Sequence, residues 1–294
     1  MIYEIKSGNI SAKFDSVGAQ MKSLQKDGKE YIWQGSPEFW DDSAPLLFPV
    51  VGRLKDGVLT IDGKDYAMPM HGFARSTDMP VLEQTESSIT FLLESDEETK
   101  KVYPWEFRFT VTFAIEGETL ATRFTIENKD EKKMFFGLGG HPGFHLPMED
   151  GAAYDDYLLK FEKEEPLYSN HIDMVAIEIC AEKKDLVLDG GNILPVSRSL
   201  FDNEAMIFED IKSRYVDLVH KDSGKGVRFA YGNFPILAFW STTAPKEGPF
   251  ICMEPWYGMG YRDNEDSKVE NKYGLQILKS AEVFKDEFSI TILD

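Results

Sequence analysis

Cysteine is scarce: Cys180 and Cys252 are the only two in 294 residues, and neither belongs to a CxxC pair. That argues against a disulfide framework and against the usual structural zinc patterns. No run of about 18 apolar residues occurs, so no membrane-spanning helix is expected. The opening Met1-Ile2-Tyr3-Glu4-Ile5-Lys6 has no basic region leading into an apolar stretch and a small-residue cleavage site. The expectation is therefore a soluble, cytoplasmic protein without a membrane partner. Basic residues are outnumbered, 32 Lys and Arg against 51 Asp and Glu, for a net charge of −19. So acidic a chain repels phosphate backbones, and nucleic acid is not an expected partner. No internal repeat, low-complexity tract or Pro-, Gly- or Ser-rich linker divides the chain, and residues 1–294 read as one domain.

Apolar material is plentiful. Hydrophobic residues make up 42% and aromatics 13%, with 21 Phe and 12 Tyr, a composition that builds a large core and favours strands. In Phe107–Ile115, Phe107, Phe109, Val111, Phe113 and Ile115 alternate with Arg108, Thr110, Thr112 and Ala114, the period of a half-buried strand. Glu116-Gly117-Glu118 turns this run back into Thr119–Asn128, predicting a hairpin. Further strands are expected at 2–5, 10–14, 58–61, 87–93, 157–161, 205–208, 215–219, 226–231, 236–240, 250–253, 274–278 and 287–292. Helices are expected to be few and short; Ser36-Pro37-Glu38-Phe39-Trp40 has the cap and proline to open one turn. Many short strands with frequent turns predict an all-β fold, a large antiparallel sandwich.

Chemistry concentrates in two stretches. In Gly139-Gly140-His141-Pro142-Gly143-Phe144-His145 the glycines permit close backbone approach and Pro142 interrupts regular structure, giving His141 a defined direction. The alternative is a structural histidine satisfied by backbone. In Cys252-Met253-Glu254-Pro255-Trp256, Glu254 follows an apolar run and precedes an indole, so desolvation makes it a stronger base than a surface carboxylate. Here the alternative is an ion pair with Arg53, Arg75 or Arg262. A histidine and a carboxylate suit proton exchange near neutral pH. His71, before Gly72, and Arg53 and Arg75, in apolar segments, suit a hydroxyl-rich or anionic small molecule. Structural ion pairing is the other reading of both arginines. Trp240 and Trp256 are the tryptophans placed to stack on a sugar face. Were His71, His141 and His145 to converge with Glu254, a transition-metal centre would result; Pro142 and Gly143 oppose the helix that would align His141 with His145.

Gly52-Arg53, His71-Gly72, Gly139–Phe144 and Met253-Glu254-Pro255 together resemble the aldose 1-epimerase (galactose mutarotase-like) superfamily. Phe48-Pro49-Val50-Val51-Gly52-Arg53-Leu54 and His71-Gly72-Phe73-Ala74-Arg75 are similar to its LacX-like branch. The resemblance implies a large β-sandwich with a sugar site on a concave sheet face. It also implies a cofactor-free interconversion of α and β anomers with no metal. By position, it makes His141 the general acid, Glu254 the general base, and His71 and Arg53 sugar ligands. The family's acidic sugar ligand maps to Glu204, with Asp202 its rival. A sister branch acts on hexose 6-phosphates, a role in which Arg53, Arg75 and Arg262 would hold phosphate. The net charge offers no long-range attraction for a dianion, so a free hexose such as glucose or galactose is preferred. A non-catalytic carbohydrate-binding protein is the reading from another class. The expected partner is the sugar, and the expected assembly a monomer or homodimer.

Overall fold

A computed structural model describes residues 1–243 and 246–294. Among them, two large antiparallel sheets stack face to face. The nine-stranded sheet has at its centre Val283–Leu293, Thr119–Asn128 and Phe107–Glu116. The eight-stranded sheet runs through Glu178–Leu188, Leu167–Asp173, Met206–Glu209, Ile236–Trp240, Phe250–Tyr257, Leu138–Gly140 and Leu46–Leu47, with Gly143–His145 also paired to Phe250–Tyr257. A four-stranded meander, Ile2–Glu30, packs at one side, where Phe14 lies 4.2 Å from Phe113 between ring centroids. No helix among the described residues is long and apolar enough to cross a membrane; the helical segments are short 3-10 turns.

The hairpin expected at 107–128 forms with Glu116 opposite Thr119, Gly117 turning the chain at φ 63°. Its alternation is the cause of its burial: Phe107, Phe109, Val111 and Phe113 are nearly inaccessible, while Arg108, Thr110 and Thr112 face outward. Rings then bridge the layers. Phe48 stacks on Phe109 at 4.9 Å, Phe109 meets Phe124, Phe124 meets Phe288, Phe288 meets Phe229, and Phe229 reaches Phe144 of the opposite sheet at 6.2 Å. Each fully buried phenylalanine contributes about 1.5–3 kcal/mol.

The turn expected at Ser36 is a single one. Residues 36–40 form that one turn, the Phe39 N–H donating to the Ser36 carbonyl at 3.0 Å and the Glu38 N–H to Ser36 Oγ at 3.3 Å, and it closes as an isolated bridge in which the Ser36 N–H donates to the Trp40 carbonyl at 2.8 Å. The indole of Trp40 packs against Phe250 and Trp240.

The eight-stranded sheet has two different faces. Along Phe250–Tyr257, Ile251, Met253 and Tyr257 enter the inter-sheet core. Cys252, Glu254 and Trp256 point the other way, where Cys252 and Trp256 join separate apolar clusters. All eight residues of the strand are buried, because loops cover its second face.

Candidate active site

Strand register places the two titratable groups together. Gly139 is opposite Trp256 and Gly143 opposite Cys252, so the chain segment between them, carrying His141, arches over the position of Glu254. His141 Nε2 lies 3.2 Å from Glu254 Oε1. The arch is pinned by the His141 N–H donating to the Pro45 carbonyl at 3.1 Å and the Met253 N–H donating to that of Pro142 at 3.2 Å. Gly143 is required by proximity: a Cβ there would stand 2.9 Å from Trp40 Cζ3. Trp40 in turn lies against the His141 ring, centroids 4.8 Å apart, with Trp240 edge-on at 5.7 Å.

His71 is held from the opposite wall. Its backbone and that of Gly52 exchange contacts: the His71 N–H donates to the Gly52 carbonyl at 3.0 Å, and the Gly52 N–H donates to His71 Nδ1 at 3.2 Å. Because Nδ1 accepts, a neutral His71 carries its proton on Nε2. The ring stands 5.6 Å from that of His141, nearly perpendicular. This requires positive φ at both His71 (66°) and Gly72 (74°). At Gly72 a Cβ would approach the Phe48 carbonyl oxygen to 2.1 Å.

Burial dominates the electrostatics. It pushes the Glu254 carboxyl well above the ordinary carboxylate range, the neighbouring Trp256 indole acting in the opposite sense. It lowers His141 from 6.5 to about 3, and Arg75 adds to the lowering. His71 also falls well below its ordinary value, through burial first and then the nearby His141, Arg75 and Arg53. Burial therefore favours one shared proton on the His141–Glu254 pair, in its uncharged arrangement, across neutral pH. His141 Nδ1 and Glu254 Oε2 have no hydrogen-bond partner among the described residues.

These groups open into a cavity of about 550 Å³, within the usual range for small-molecule sites. Arg53, His71, Arg75, His141, Glu204, Trp240 and Glu254 all line it, as does Trp256. Asp202 does not; Glu204, at φ 68°, is the acidic residue of that loop which reaches the cavity. Arg75 is ion-paired with Asp42. Arg262 is turned away, stacked at 4.0 Å on Tyr273 and donating to the Ala181 carbonyl. His145 also lies off the cavity, its ring parallel to Trp33 at 6.4 Å, so the three histidines do not converge on one ion. Trp40, Asp42, Glu178 and Tyr261 line the cavity although the sequence reading does not place them there. Trp40 had a detectable signal, an indole beside a Pro-containing turn; Glu178 and Tyr261 arrive from a hairpin and a loop whose local sequence carries no mark of it.

The family model for aldose 1-epimerase matches residues 1–266. The chain belongs to the aldose 1-epimerase family. It is 31% identical over 301 residues to the plasmid and chromosomal LacX proteins of Lactococcus lactis subsp. lactis, all of each chain being covered. Among solved structures it is similar to a galactose mutarotase related enzyme from Lactobacillus acidophilus (34% identity, TM-score 0.94, 100% of this chain and 98% of that one). It is also similar to a galactose mutarotase-like protein from Lactobacillus casei (28%, TM-score 0.90, all of both chains). Membership of this epimerase family agrees with an enzyme acting on a small sugar, and with the all-β sandwich expected from the strand pattern.

Proposed function

We propose that this aldose 1-epimerase family member interconverts the α and β anomers of a free hexose, using Glu254 and His141 as its acid–base pair. The observation that carries the reading is the 3.2 Å contact between a buried histidine and a buried carboxyl at the floor of a sugar-sized cavity. Ring opening removes the proton of the C1 hydroxyl while the ring oxygen O5 gains one. Glu254 as carboxylate takes the first and His141 as imidazolium gives the second. After rotation about C1–C2 the roles reverse and the ring closes on the other face. The pair begins and ends with the same single proton, so turnover leaves it unchanged. With the sugar bound, its C1 hydroxyl and O5 supply the polar partners that offset the cost of separating charge between the two side chains.

The remaining lining suits hydroxyl groups. His71 Nε2–H and the Arg53 guanidinium donate, Glu204 accepts, and Trp240 offers an apolar face to sugar C–H bonds. Charge on the lining favours a neutral sugar over a phosphorylated one. Asp41, Asp42, Glu178, Glu204 and Glu254 contribute carboxyl groups against the guanidiniums of Arg53 and Arg75, and no lysine is among the lining residues. With Arg75 engaged by Asp42, little positive charge is left for a dianion.

The test is anomer exchange by NMR or polarimetry, starting from pure α-glucose, α-galactose and glucose 6-phosphate. Acceleration with a free hexose, falling about 10²–10⁴-fold in Glu254→Gln and in His141→Asn, is expected. Full activity in both variants would refute the assignment, and preference for the phosphorylated sugar would refute the substrate class.

A further inference from the structure

We propose that His141, Cys252 and Glu254 form a binding site for a soft divalent cation of the zinc class, which occupies the catalytic floor in place of the sugar. Their ligand atoms all lie within 4.8 Å of one another, and all three residues are buried. Cys252 and Glu254 are alternate residues of one strand and therefore share a face. His141 is held over them by the pairing of Gly143 with Cys252.

The donor set decides the kind of ion. One thiol, one imidazole and one carboxyl match zinc and its neighbours, which take sulfur at about 2.3 Å and nitrogen or oxygen at about 2.0–2.2 Å. Magnesium and calcium seek six or more oxygens, and the cluster does not offer them. Neighbouring ligand atoms about such an ion stand roughly 3.3–3.7 Å apart on those bond lengths. The His141–Glu254 contact of 3.2 Å is close to that spacing, and with all ligand atoms within 4.8 Å of one another Cys252 Sγ needs a shift of about 1 Å at most. Three protein ligands leave one coordination position facing the cavity, the pattern of an open zinc site.

Charge favours the complex. The cation, a thiolate, a carboxylate and a neutral imidazole sum to zero, which a buried site tolerates better than a net charge. Burial holds the Cys252 thiol protonated in the free protein, so binding releases that proton and the one shared by His141 and Glu254 to solvent. Sugar and metal then exclude each other, because both require His141 Nε2 and Glu254. That exclusion rests on the acid–base reading above; the metal site itself does not.

Calorimetry of the full-length protein with zinc chloride tests the site without reference to turnover. One equivalent is expected to bind the wild type, with affinity about a hundredfold or more lower in Cys252→Ala, since loss of even an outer partner of a metal ligand costs 10–100-fold. Cobalt in place of zinc should give a near-ultraviolet thiolate-to-metal band that Cys252→Ala abolishes, while the same variant, if folded by circular dichroism, keeps anomer exchange and loses zinc inhibition. If Cys252→Ala is unfolded, the wild-type cobalt spectrum and its displacement by sugar decide the matter. Absence of stoichiometric zinc binding, equal binding by folded Cys252→Ala, or a cobalt spectrum without a thiolate band would overturn the proposal.

Discussion

Replacing Gly72 by alanine tests how the fold supports its cavity. Gly72 sits at φ 74°, where an L-residue costs about 1–2 kcal/mol. Its new Cβ would meet the Phe48 carbonyl oxygen at 2.1 Å, far inside contact distance. That oxygen accepts hydrogen bonds from the Phe73 and Ala74 N–H groups at 3.0 and 3.1 Å, and moving it away loses about 1 kcal/mol for each. The expected destabilisation is about 3–4 kcal/mol, or a fall in Tm of roughly 6–8 °C at about 2 °C per kcal/mol for a chain of this size. Gly63 supplies the control. It has nearly the same backbone angle, φ 76°, but a Cβ added there would find nothing within 4 Å, so Gly63→Ala should cost only the conformational term, about 2–4 °C. Since Gly72 adjoins His71, Gly72→Ala should also raise KM for the sugar, and Gly63→Ala should not. Equal melting temperatures for the two variants, measured by calorimetry, would refute the steric argument.

Three further outcomes follow from the site. The rate constant kcat/KM should be flat from about pH 5 through neutrality, because the pair keeps its single proton until His141 gains another near 3; a bell centred on an ordinary histidine value would contradict this. The depressed His141 also makes wild-type stability depend on pH. Its contribution is fully present above the unfolded value of 6.5 and is lost as pH falls toward 3. His141→Asn lacks that loss, so urea denaturation should show it gaining about 3 kcal/mol relative to wild type between pH 7 and pH 4. Gly143→Ala should displace Trp40 from the His141 ring and lower kcat by about tenfold, in keeping with the sensitivity of acid–base groups to position, with a smaller change in Tm than Gly72→Ala; an unchanged kcat would show that Trp40 does not hold the ring.

Much of the fold was legible because strand residues that bury one face alternate in kind. Phe107–Ile115 and Thr119–Asn128 show this directly, as does the turn at Gly117. Several of the strands that escaped notice are very short. Leu46–Leu47, Leu138–Gly140 and Gly143–His145 contain too few residues for a period. In Glu178–Leu188, the charged run Glu182-Lys183-Lys184-Asp185 obscures an edge strand whose side chains meet solvent on both faces. At the cavity, His141 and Glu254 stood out because a titratable group among glycine, proline and apolar residues needs a reason to be there. Glu178 and Tyr261 carry no such local anomaly. Their position depends on which segments the sheets bring near, a property of pairing between distant parts of the chain.

The strand Phe250–Tyr257 has a consequence for redesign. Its odd-numbered residues Ile251, Met253 and Tyr257 belong to the core, while Glu254 projects into the cavity. A change of volume at Met253 would therefore reach the carboxyl group through one peptide unit, and repacking for thermal tolerance would also retune reactivity. Arg53, Glu178 and Glu204 touch the same cavity from its rim, and Arg53 and Glu204 are exposed. New sugar preferences are best sought by varying these three, where the scaffold can absorb substitutions, with the strand left untouched.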